Sequence, residues 1–397
     1  MALSSIQSVL TPVRQKGREA LNRLGLPTRH QEAWRLTDLR RLEGVSQLPI
    51  STVSSKSPDT PPVVDGTLRL VLDGISDPLE GVNLPEELTV LKPHELEQML
   101  GHTLCRCGYS DDWLTEFNRA STHQILALRV RGNVPPLELI ITTTSGLTAT
   151  RVVILVEEEA EVDLLQVFIG KDRAAHSHIL EVHLGQEARL NHGLVACADG
   201  IASLLTQLAV EQEPHSQYRF TSVMQGWFLG RLESRVVQVG GQATTNLKGL
   251  AVADGEQQLA VHTAVRFEGP EGELDQLQKC LAAGRSHTIF SGAIAVPRQA
   301  QHTNAAQLSR NLLLSERARV DTKPELEILA DDVRCIHGAT VSQLQEDELF
   351  YLKSRGISAS EAAVLLLRGA CQEVVDTLPV HARVWQPLER VLKGLIS

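Results

Sequence analysis

The chain has 397 residues, which is enough for two or three domains and a large apolar core. Its 38 basic residues face 48 acidic ones, and the resulting net charge of −10 argues against a protein that binds nucleic acid or an anionic membrane. Only 4% of the residues are aromatic, so a core of aliphatic and small side chains is expected and a pocket lined with rings is disfavoured.

Several motifs that would indicate a particular class of protein are missing from the sequence. The six cysteines have neither the spacing of a zinc site nor that of a disulfide framework, so a reducing compartment, the cytoplasm, fits best. The sequence contains no phosphate-binding loop and no dinucleotide fingerprint, so no intrinsic nucleotide site is expected. No apolar run approaches the roughly 18 residues of a membrane-spanning helix.

The N-terminal region, residues 1–45, is predicted to be helical. Apolar residues at helical spacing indicate an amphipathic helix over residues 5–24 that stops at Gly25-Leu-Pro27, and a short helical piece anchored by Trp34 follows. The basic, Ser-containing start resembles an organelle transit peptide, but we interpret it as part of the mature protein. Residues 46–65 are rich in Ser, Pro and Thr, which predicts a linker.

Residues 66–150 alternate short apolar strands with helical stretches near 93–100 and 111–122, which predicts a small α/β region. This region contains a Cys-x-Cys pair, Cys105 and Cys107. A single pair of this kind without companions is weak support for a metal site, so structural thiols are favoured.

Residues 151–344 contain a repeated phrase, Ala-x-(Val/Leu/Thr)-(Asp/Asn), which follows an aliphatic strand each time. The copies are Glu158–Asp163, Gln186–Asn191, Gly241–Asn246 and Glu316–Asp321. The steps between their alanines are 28, 55 and 75 residues, of which the first two fit one and two units of about 28. Such a period predicts a β-helix built from stacked coils. The alternative is an ordinary β-sandwich with chance similarity among its turns.

Residues 345–397 change to a helical pattern. Ser358 and Glu361 form the sequence of a capping box, which predicts a helix that runs through Asp376 and stops before Pro379. The first half of this helix is apolar nearly all round, so it must be covered by the rest of the chain or by a partner. A last helix is predicted over 387–396.

One unbroken extended segment is predicted over Leu326–Thr340. Alternate side chains of a strand face one way, so Asp331, Val333, Cys335 and His337 would share a side. The thiol and the imidazole could then bind one ion, which would need further ligands from elsewhere. The alternative is that Cys335 is a small buried apolar residue and His337 binds a backbone carbonyl at a turn.

Two other groups have weaker chemical signals. For His176, His178 and His183, a surface or ladder role is favoured over a metal site. The acidic pair Asp331 and Asp332 resembles the carboxylates of β-helix enzymes that act on carbohydrates. Adjacent strand residues face opposite ways, however, so this pair is poorly placed for joint acid and base work on one bond.

Several runs near the end of the chain are distinctive: Ala300–Asn304, Arg310–Ser315, Asp321–Ile328, Ala330–Thr340 and Leu349–Ile357. They closely resemble the SufB/SufD family of the SUF iron–sulfur cluster assembly system. The Cys-x-His-Gly-Ala-Thr sequence at 335–340 resembles the SufD branch, because SufB has His-Glu-Ala-Thr there. Gly25-Leu-Pro27 and Glu32-Ala-Trp34 also match the N-terminal part of the family. The resemblance therefore covers nearly the whole chain and leaves little room for a cleaved presequence.

The resemblance implies a mainly β fold. It consists of a right-handed parallel β-helix core, here 151–344, preceded by a helical and α/β region and followed by a C-terminal helical domain. It also implies an assembly of one SufB, two copies of the ATPase SufC and one SufD, in which SufB pairs through the β-helix and SufC binds the C-terminal domain. Whether the isolated chain forms a homodimer stays open.

The resemblance further implies site residues. The family histidine at the SufB interface maps onto His337, as a ligand of iron or of a nascent cluster, and the family cysteine maps onto Cys335, whose role is less defined. The expected SufC contacts in the C-terminal domain are Leu349, Phe350, Tyr351, Arg355, Gly356, Leu365 and Leu366.

These features lead to three hypotheses about function. The first is a non-catalytic scaffold subunit in the bacterial cytosol, with the plastid stroma as the less favoured compartment, which supports iron–sulfur cluster assembly driven by SufC and holds only transient iron or cluster. The second is a carbohydrate-active β-helix enzyme that uses the carboxylates near Asp331. The third is a paralogue that has kept the fold and only stabilises SufB.

Overall fold

The protein is a β-solenoid covered by helices. The computed structural model describes residues 3–54 and 60–396. Strands contain 43% of the residues and helices 23%, and the strands form a solenoid of about eight turns. The predicted β-helix is therefore confirmed, and the alternative of a β-sandwich is wrong. Within the described residues, no helix is long and apolar enough to cross a membrane.

Two nine-stranded sheets form the walls of the solenoid. The first sheet contains, in spatial order, β1 (Leu68–Leu72), β4 (Leu137–Thr143), β6 (Glu161–Gly170), β8 (Arg189–Ala198), β10 (Gln217–Gln225), β12 (Thr244–Ala253), β14 (Glu273–Ala282), β16 (Asn304–Leu313) and β18 (Arg334–Ser342). The second contains β2 (Leu88–Val90), β3 (Gln124–Val130), β5 (Leu147–Val156), β7 (Ala175–Leu184), β9 (Ser203–Gln212), β11 (Leu229–Gln238), β13 (Gln258–Phe267), β15 (His287–Val296) and β17 (Arg319–Ile328).

Consecutive turns of the solenoid are stacked in register. Strands β2 and β3 pair in the antiparallel direction. The other pairs of described strands are parallel, as β3 and β5 are. Register partners are separated by 26 residues where Ser203 pairs with Leu229 and by 32 where His287 pairs with Arg319. Apolar side chains on the inner faces of both sheets form one continuous core. Parallel strands that are covered on both faces have nearly continuous runs of apolar residues, and β5 contains such a run.

The repeated sequence phrase forms corners of the solenoid. In the first three copies the alanine is wholly buried and lies just before a strand of the first sheet; these residues are Ala160, Ala188 and Ala243. The residue before each alanine has a positive φ of 56° to 58°; these residues are Glu159, Glu187 and Gln242. The alanine of the fourth copy, Ala318, instead precedes β17 in the second sheet. The fourth copy therefore belongs to a different series of corners, which explains its misfit to the period.

Helices lie outside the two walls. They are α1 (Leu3–Leu24), α2 (Leu39–Ser46), α3 (Pro93–Met99), α4 (His102–Arg106), α5 (Trp113–Ser121), α6 (Glu346–Ser354), α7 (Ala359–Val375) and α8 (Pro387–Ile396), with 3-10 helices at Glu32–Trp34 and Val380–Trp385. These positions confirm the predicted helices. The capping box is also present, because Ser358 Oγ accepts a hydrogen bond from the Glu361 amide and the Glu361 carboxylate accepts one from the Ser358 amide.

The N-terminal helices cover the outer face of the second sheet. Trp34, predicted to be an anchor, is buried against Trp113, with ring centroids 5.9 Å apart, and Trp113 stacks on Phe117 at 5.0 Å. Helices α1 and α5 meet at Gly17, where an added Cβ would lie 2.5 Å from the Ala120 backbone nitrogen. Only glycine therefore allows this close approach.

The segment 359–396, which we call the C-terminal cover, packs on the outer face of the first sheet. Its apolar residues form a cluster with side chains of β4 to β14. At one end, Trp385 Nε1 donates a hydrogen bond of 2.6 Å to Glu138 of β4. At the other, Lys279 of β14 forms an ion pair with Glu373 and donates a hydrogen bond of 2.8 Å to the Ala370 carbonyl. The cover thus spans most of the solenoid.

The predicted boundaries between regions remain predictions. Strands β1, β3, β4 and β5, which include most of the strand residues of 66–150, pair directly with the walls of the β-helix. The predicted linker 46–65 contains an isolated bridge between Ile50 and Leu147, and its residues 55–59 lie outside the described part of the chain.

Candidate functional site

The last coil of the β-helix has two free strand edges. Within the described residues, β17 pairs only with β15, and β18 pairs only with β16. Large apolar side chains are exposed on this coil; they are Ile328, Leu329, Ile336 and Val341. An unpaired strand edge beside exposed apolar side chains is a surface that can accept another protein chain.

The predicted single extended segment over Leu326–Thr340 is wrong. Strand β17 ends at Ile328, the chain turns through residues 329–333, and β18 begins at Arg334. Asp331 therefore lies in a corner and not on the strand that carries His337. The corner is formed without glycine or proline, and its buried residue is Ala330.

The acidic pair Asp331 and Asp332 is exposed on this corner. The Asp332 carboxylate lies 3.1 Å from His302 Nδ1, and the Asp332 amide donates a hydrogen bond of 3.0 Å to Gln301 Oε1. Asp332 therefore helps to hold two successive corners together. This arrangement gives the carbohydrate-active alternative no support.

His337 lies at the end of a column of side chains on the inner face of the first sheet. By register, it stacks on Gln307 of β16, which stacks on Gln276 of β14. Gln307 Nε2 donates a hydrogen bond of 2.9 Å to Gln276 Oε1, while the buried Gln307 Oε1 has no hydrogen-bond partner among the described residues. His337 itself is exposed because no further coil follows. Sequence reasoning missed Gln307, because the predicted unit of about 28 residues leads from His337 to Ser309, whereas the register step at this coil is 30 residues.

Cys335 lies two residues earlier on the same face of β18. By register it stacks on the buried Ala305, and it packs against the apolar core of the solenoid. Burial raises the pKa of the Cys335 thiol, opposed by a hydrogen bond with the Ala305 backbone. Cys335 and His337 therefore share a side of the strand, as predicted. Among the described residues, they belong to no group of three metal-binding side chains, so an ion bound there would need further ligands.

The C-terminal candidates lie on α6, the turn after it and α7. Phe350 is 71% exposed, Tyr351 and Leu365 are also exposed, and Leu349 and Leu366 are half-buried. Helix α6 contains no buried residue, so it has little contact with the rest of the described chain. Exposed aromatic and aliphatic side chains grouped in this way are typical of a docking surface.

Two further candidates shape the turn between these helices. The Arg355 guanidinium lies 5.3 Å from the centroid of the Tyr351 ring, within the range of a cation–π contact. Gly356 has a φ of +86°, a conformation that other residues rarely adopt, and it ends the turn after α6. The turn therefore holds the exposed Tyr351 ring beside a positive charge.

The histidines of the candidate cluster are separated by the solenoid wall. His176 and His178 are wholly buried inside the solenoid, and His178 belongs to a hydrogen-bonded ladder in which it contacts Thr150 Oγ1 and Gln166 Nε2, each at 2.8 Å. Burial lowers the pKa of His178 to about 3. The predicted ladder role is confirmed for His178. His183 lies outside the wall on the same strand and is half-buried.

The two thiols of the Cys-x-Cys pair do not act together. Cys105 is exposed, whereas Cys107 is buried and its Sγ lies 3.5 Å from the Val210 carbonyl. Burial raises the pKa of Cys107 to about 12. The favoured interpretation, structural thiols, fits this geometry.

Comparison with known proteins matches residues 139–370 to the family model of the SUF system FeS cluster assembly SufBD core domain. An iron-sulfur cluster assembly SufBD family protein of Synechocystis is 29% identical, with 96% of this chain and 90% of the relative aligned. The chloroplastic protein ABCI7 of Arabidopsis thaliana is 30% identical over 98% of this chain and 86% of its own length. The iron-sulfur cluster assembly protein SufD of Escherichia coli is 26% identical over 96% and 92%. The chain therefore belongs to the SufBD family of iron–sulfur cluster assembly proteins.

Proposed function

We propose that this chain is a non-catalytic scaffold subunit for iron–sulfur cluster assembly and that His337 binds iron or a nascent cluster at a surface shared with SufB. The observation that carries the proposal is the exposed imidazole at the open end of an inner column, on a strand with a free edge. A strand from a second chain can pair with such an edge. The exposed apolar side chains of the last coil, among them Ile336, support the same surface.

The donor atoms suit iron as the cargo. A neutral imidazole is a good ligand for Fe(II), and the thiol of Cys335 becomes a ligand when a metal displaces its proton. Because burial raises the pKa of this thiol, His337 is the primary ligand and Cys335 the secondary one. One imidazole and one thiolate leave a four-coordinate ion unsaturated, so SufB supplies the remaining ligands.

The helical segment 345–397 is the proposed contact for the ATPase SufC. The exposed side chains of α6 and α7, led by Phe350, Tyr351 and Leu365, form an apolar surface next to the last coil. Closure of a SufC dimer on ATP would move α6, which follows β18 after three residues, and would thereby shift the surface that carries His337. The chain acts in the bacterial cytosol, where its six thiols remain reduced.

The ligand role is tested by replacing His337 with alanine in the complex co-expressed with SufB and SufC. We expect the complex to assemble and to lose most of the cluster that forms on reconstitution with iron and sulfide, measured by visible absorbance. The matched control is His30→Ala, because His30 is an exposed histidine outside the last coil. If both variants assemble clusters like the unmodified complex, His337 is not a ligand and the chain only stabilises SufB.

The SufC contact is tested by placing a charge on the proposed surface. Phe350→Asp and Leu365→Asp should prevent co-purification with SufC while the complex with SufB persists, since both side chains are exposed and support no core. The control is Ile201→Asp, an exposed apolar residue between β8 and β9 and outside the segment 345–397. Persistence of the SufC complex in both test variants would move the contact elsewhere.

A further inference from the structure

A second group of metal-binding side chains lies on the outer face of the second sheet, outside the solenoid. His183 of β7 and Glu211 of β9 are register partners on adjacent strands, and Glu213 lies two residues beyond Glu211. One ligand atom from each of the three residues lies within 4.8 Å of the others. Within the described residues, no other group of three or more His, Cys, Asp or Glu side chains meets this geometry.

Two atoms of this group are buried and lack hydrogen-bond partners. Glu211 is only 5% exposed, and neither its Oε2 nor His183 Nδ1 has a hydrogen bond among the described residues. Glu211 makes two long ion-pair contacts: Arg106 Nε lies 3.8 Å from Oε1, and His102 Nε2, which is charged only when the ring is protonated, lies 3.8 Å from Oε2. Buried polar atoms are almost always hydrogen-bonded, so two buried acceptors without a hydrogen bond in one group point to a bound group.

The local charges favour a cation. The three side chains bring two carboxylates and one imidazole together. Arg106, the nearby positive side chain, directs its Nη2 to Glu268 at 2.7 Å, and Arg266 forms a second ion pair with the same carboxylate at 2.8 Å. Glu268 is shared by two guanidiniums and therefore neutralises Arg106 only in part. Arg106 makes one long contact of 3.8 Å with Glu211, and Glu213 forms no ion pair among the described residues, so the two carboxylates of the group keep an excess of negative charge that a divalent ion can use.

We propose that His183, Glu211 and Glu213 bind a divalent first-row transition ion of the Fe(II) or Zn(II) class, with His102 as the fourth ligand. Imidazole nitrogen and carboxylate oxygen are the donors these ions prefer, whereas Ca(II) requires six to eight oxygens. Bond lengths of about 2.0–2.2 Å place ligand atoms roughly 3.4 Å apart in a tetrahedral site. The side chains of His183 and Glu213 are half-buried and can close that distance.

This site is independent of His337 and has a different consequence. His102 is the first residue of α4, which packs on β7 and β9, so an ion bound by His102 and Glu211 would fasten this helix to the solenoid wall. The bound ion would stabilise the folded chain by RT ln(1 + c/Kd), where c is the free ion concentration, so above the dissociation constant the stabilisation grows with the logarithm of that concentration. The site thus couples the N-terminal region of the chain to metal supply.

The test uses Co(II), a spectroscopic substitute for Fe(II) and Zn(II), added to the purified chain after removal of metal by a chelator. We expect one ion per chain, visible absorption bands of a nitrogen–oxygen site and a higher melting temperature. His183→Gln and Glu211→Gln should each weaken binding at least tenfold. His102→Gln, a change at a half-exposed position that leaves the core intact, should weaken it severalfold.

The controls separate this site from others on the chain. His215→Gln and Glu187→Gln change exposed residues on a solenoid corner and should leave Co(II) binding unchanged. His337→Ala should also retain the Co(II) bands, which distinguishes the site from the proposed cluster ligand. The proposal is overturned if the unmodified chain binds no Co(II), or if binding survives in His183→Gln and Glu211→Gln, or if it is lost in His337→Ala.

Discussion

Lowering the pH from 7.5 to 5.5 should destabilise the protein through the histidines inside the solenoid. His176, His178 and His192 are wholly buried, and burial lowers their pKa values to about 4, 3 and 3. In the unfolded chain each has the ordinary pKa of about 6.5. Between pH 6.5 and about 4 the unfolded state therefore binds more protons than the folded state, so the free energy of unfolding falls as the pH falls.

The size of the effect follows from the unfolded state. A histidine with a pKa of 6.5 gains about 1.4 kcal/mol of protonation free energy in the unfolded chain between pH 7.5 and 5.5, whereas a buried neutral histidine gains almost none in the folded protein. Three such residues together lower the free energy of unfolding by about 4 kcal/mol. Carboxyl groups in the unfolded chain add little in this range because their ordinary pKa values lie near 4. In the folded protein burial raises the pKa of Asp112, Glu116 and Glu181, and any proton that these groups take up opposes the loss.

Urea unfolding monitored by tryptophan fluorescence measures this difference at the two pH values. His192→Gln retains hydrogen-bonding capacity towards Tyr218 and Gln166, whose side chains lie 3.1 and 3.0 Å from the ring nitrogens of His192. This variant should lose about 1.4 kcal/mol less than the unmodified chain over the same pH range. Other buried histidines, such as His262, whose pKa burial lowers to about 3, add the same loss to both proteins. The exposed His30→Gln is the control and should behave like the unmodified chain. Equal pH dependence in His192→Gln and the unmodified chain would refute the reasoning.

Three other substitutions test the helices and a buried ion pair. Ser358→Ala removes the capping hydroxyl of α7 and should lower the free energy of unfolding by about 1 kcal/mol in urea titration. Gly17→Ala places a methyl group against the backbone of α5 and should release α1, detected as faster limited proteolysis of the first forty residues; unchanged cleavage would contradict the close approach. Arg151→Met leaves the buried carboxylate of Glu181 without its ion pair, which spans 3.1 Å, and should cost roughly 3–5 kcal/mol. Adding Glu181→Gln should recover part of that loss, and no recovery would contradict the pairing.

The elements that could be predicted were those that carry their own local signal. The repeated alanine phrase predicted the stacked coils because, in three of its four copies, a buried alanine follows a left-handed residue at a corner before a strand of the first sheet. The capping box predicted the start of α7 because Ser358 and Glu361 are themselves the residues that bind the free amides of the first helical turn. The corner after β17 was missed because Ala330 and its neighbours contain no glycine or proline. Without such a residue, an extended run and a turn between two strands look alike in sequence.

The candidate sites were predicted unequally. His337 and Cys335 were found as neighbours in sequence, but the side chains stacked beneath them belong to other coils. The pairing of His183 with Glu211 could have been predicted from the sequence. The two positions are separated by 28 residues, which is the step between the first two copies of the alanine phrase. What sequence could not supply is which face of each strand points inward, since alternation gives two faces and does not say which one meets the core.

The C-terminal cover has a consequence for how this solenoid can evolve. Solenoids usually gain or lose coils easily, because each coil contacts only its neighbours. Here the cover is attached at both Glu138 and Lys279, so an extra coil between β4 and β14 would move one attachment point by about 4.8 Å. The fixed distance between the two attachment points of the cover therefore sets the number of coils beneath it. Growth or shortening of the stack is tolerated only beyond its two ends, where the last coil with His337 lies.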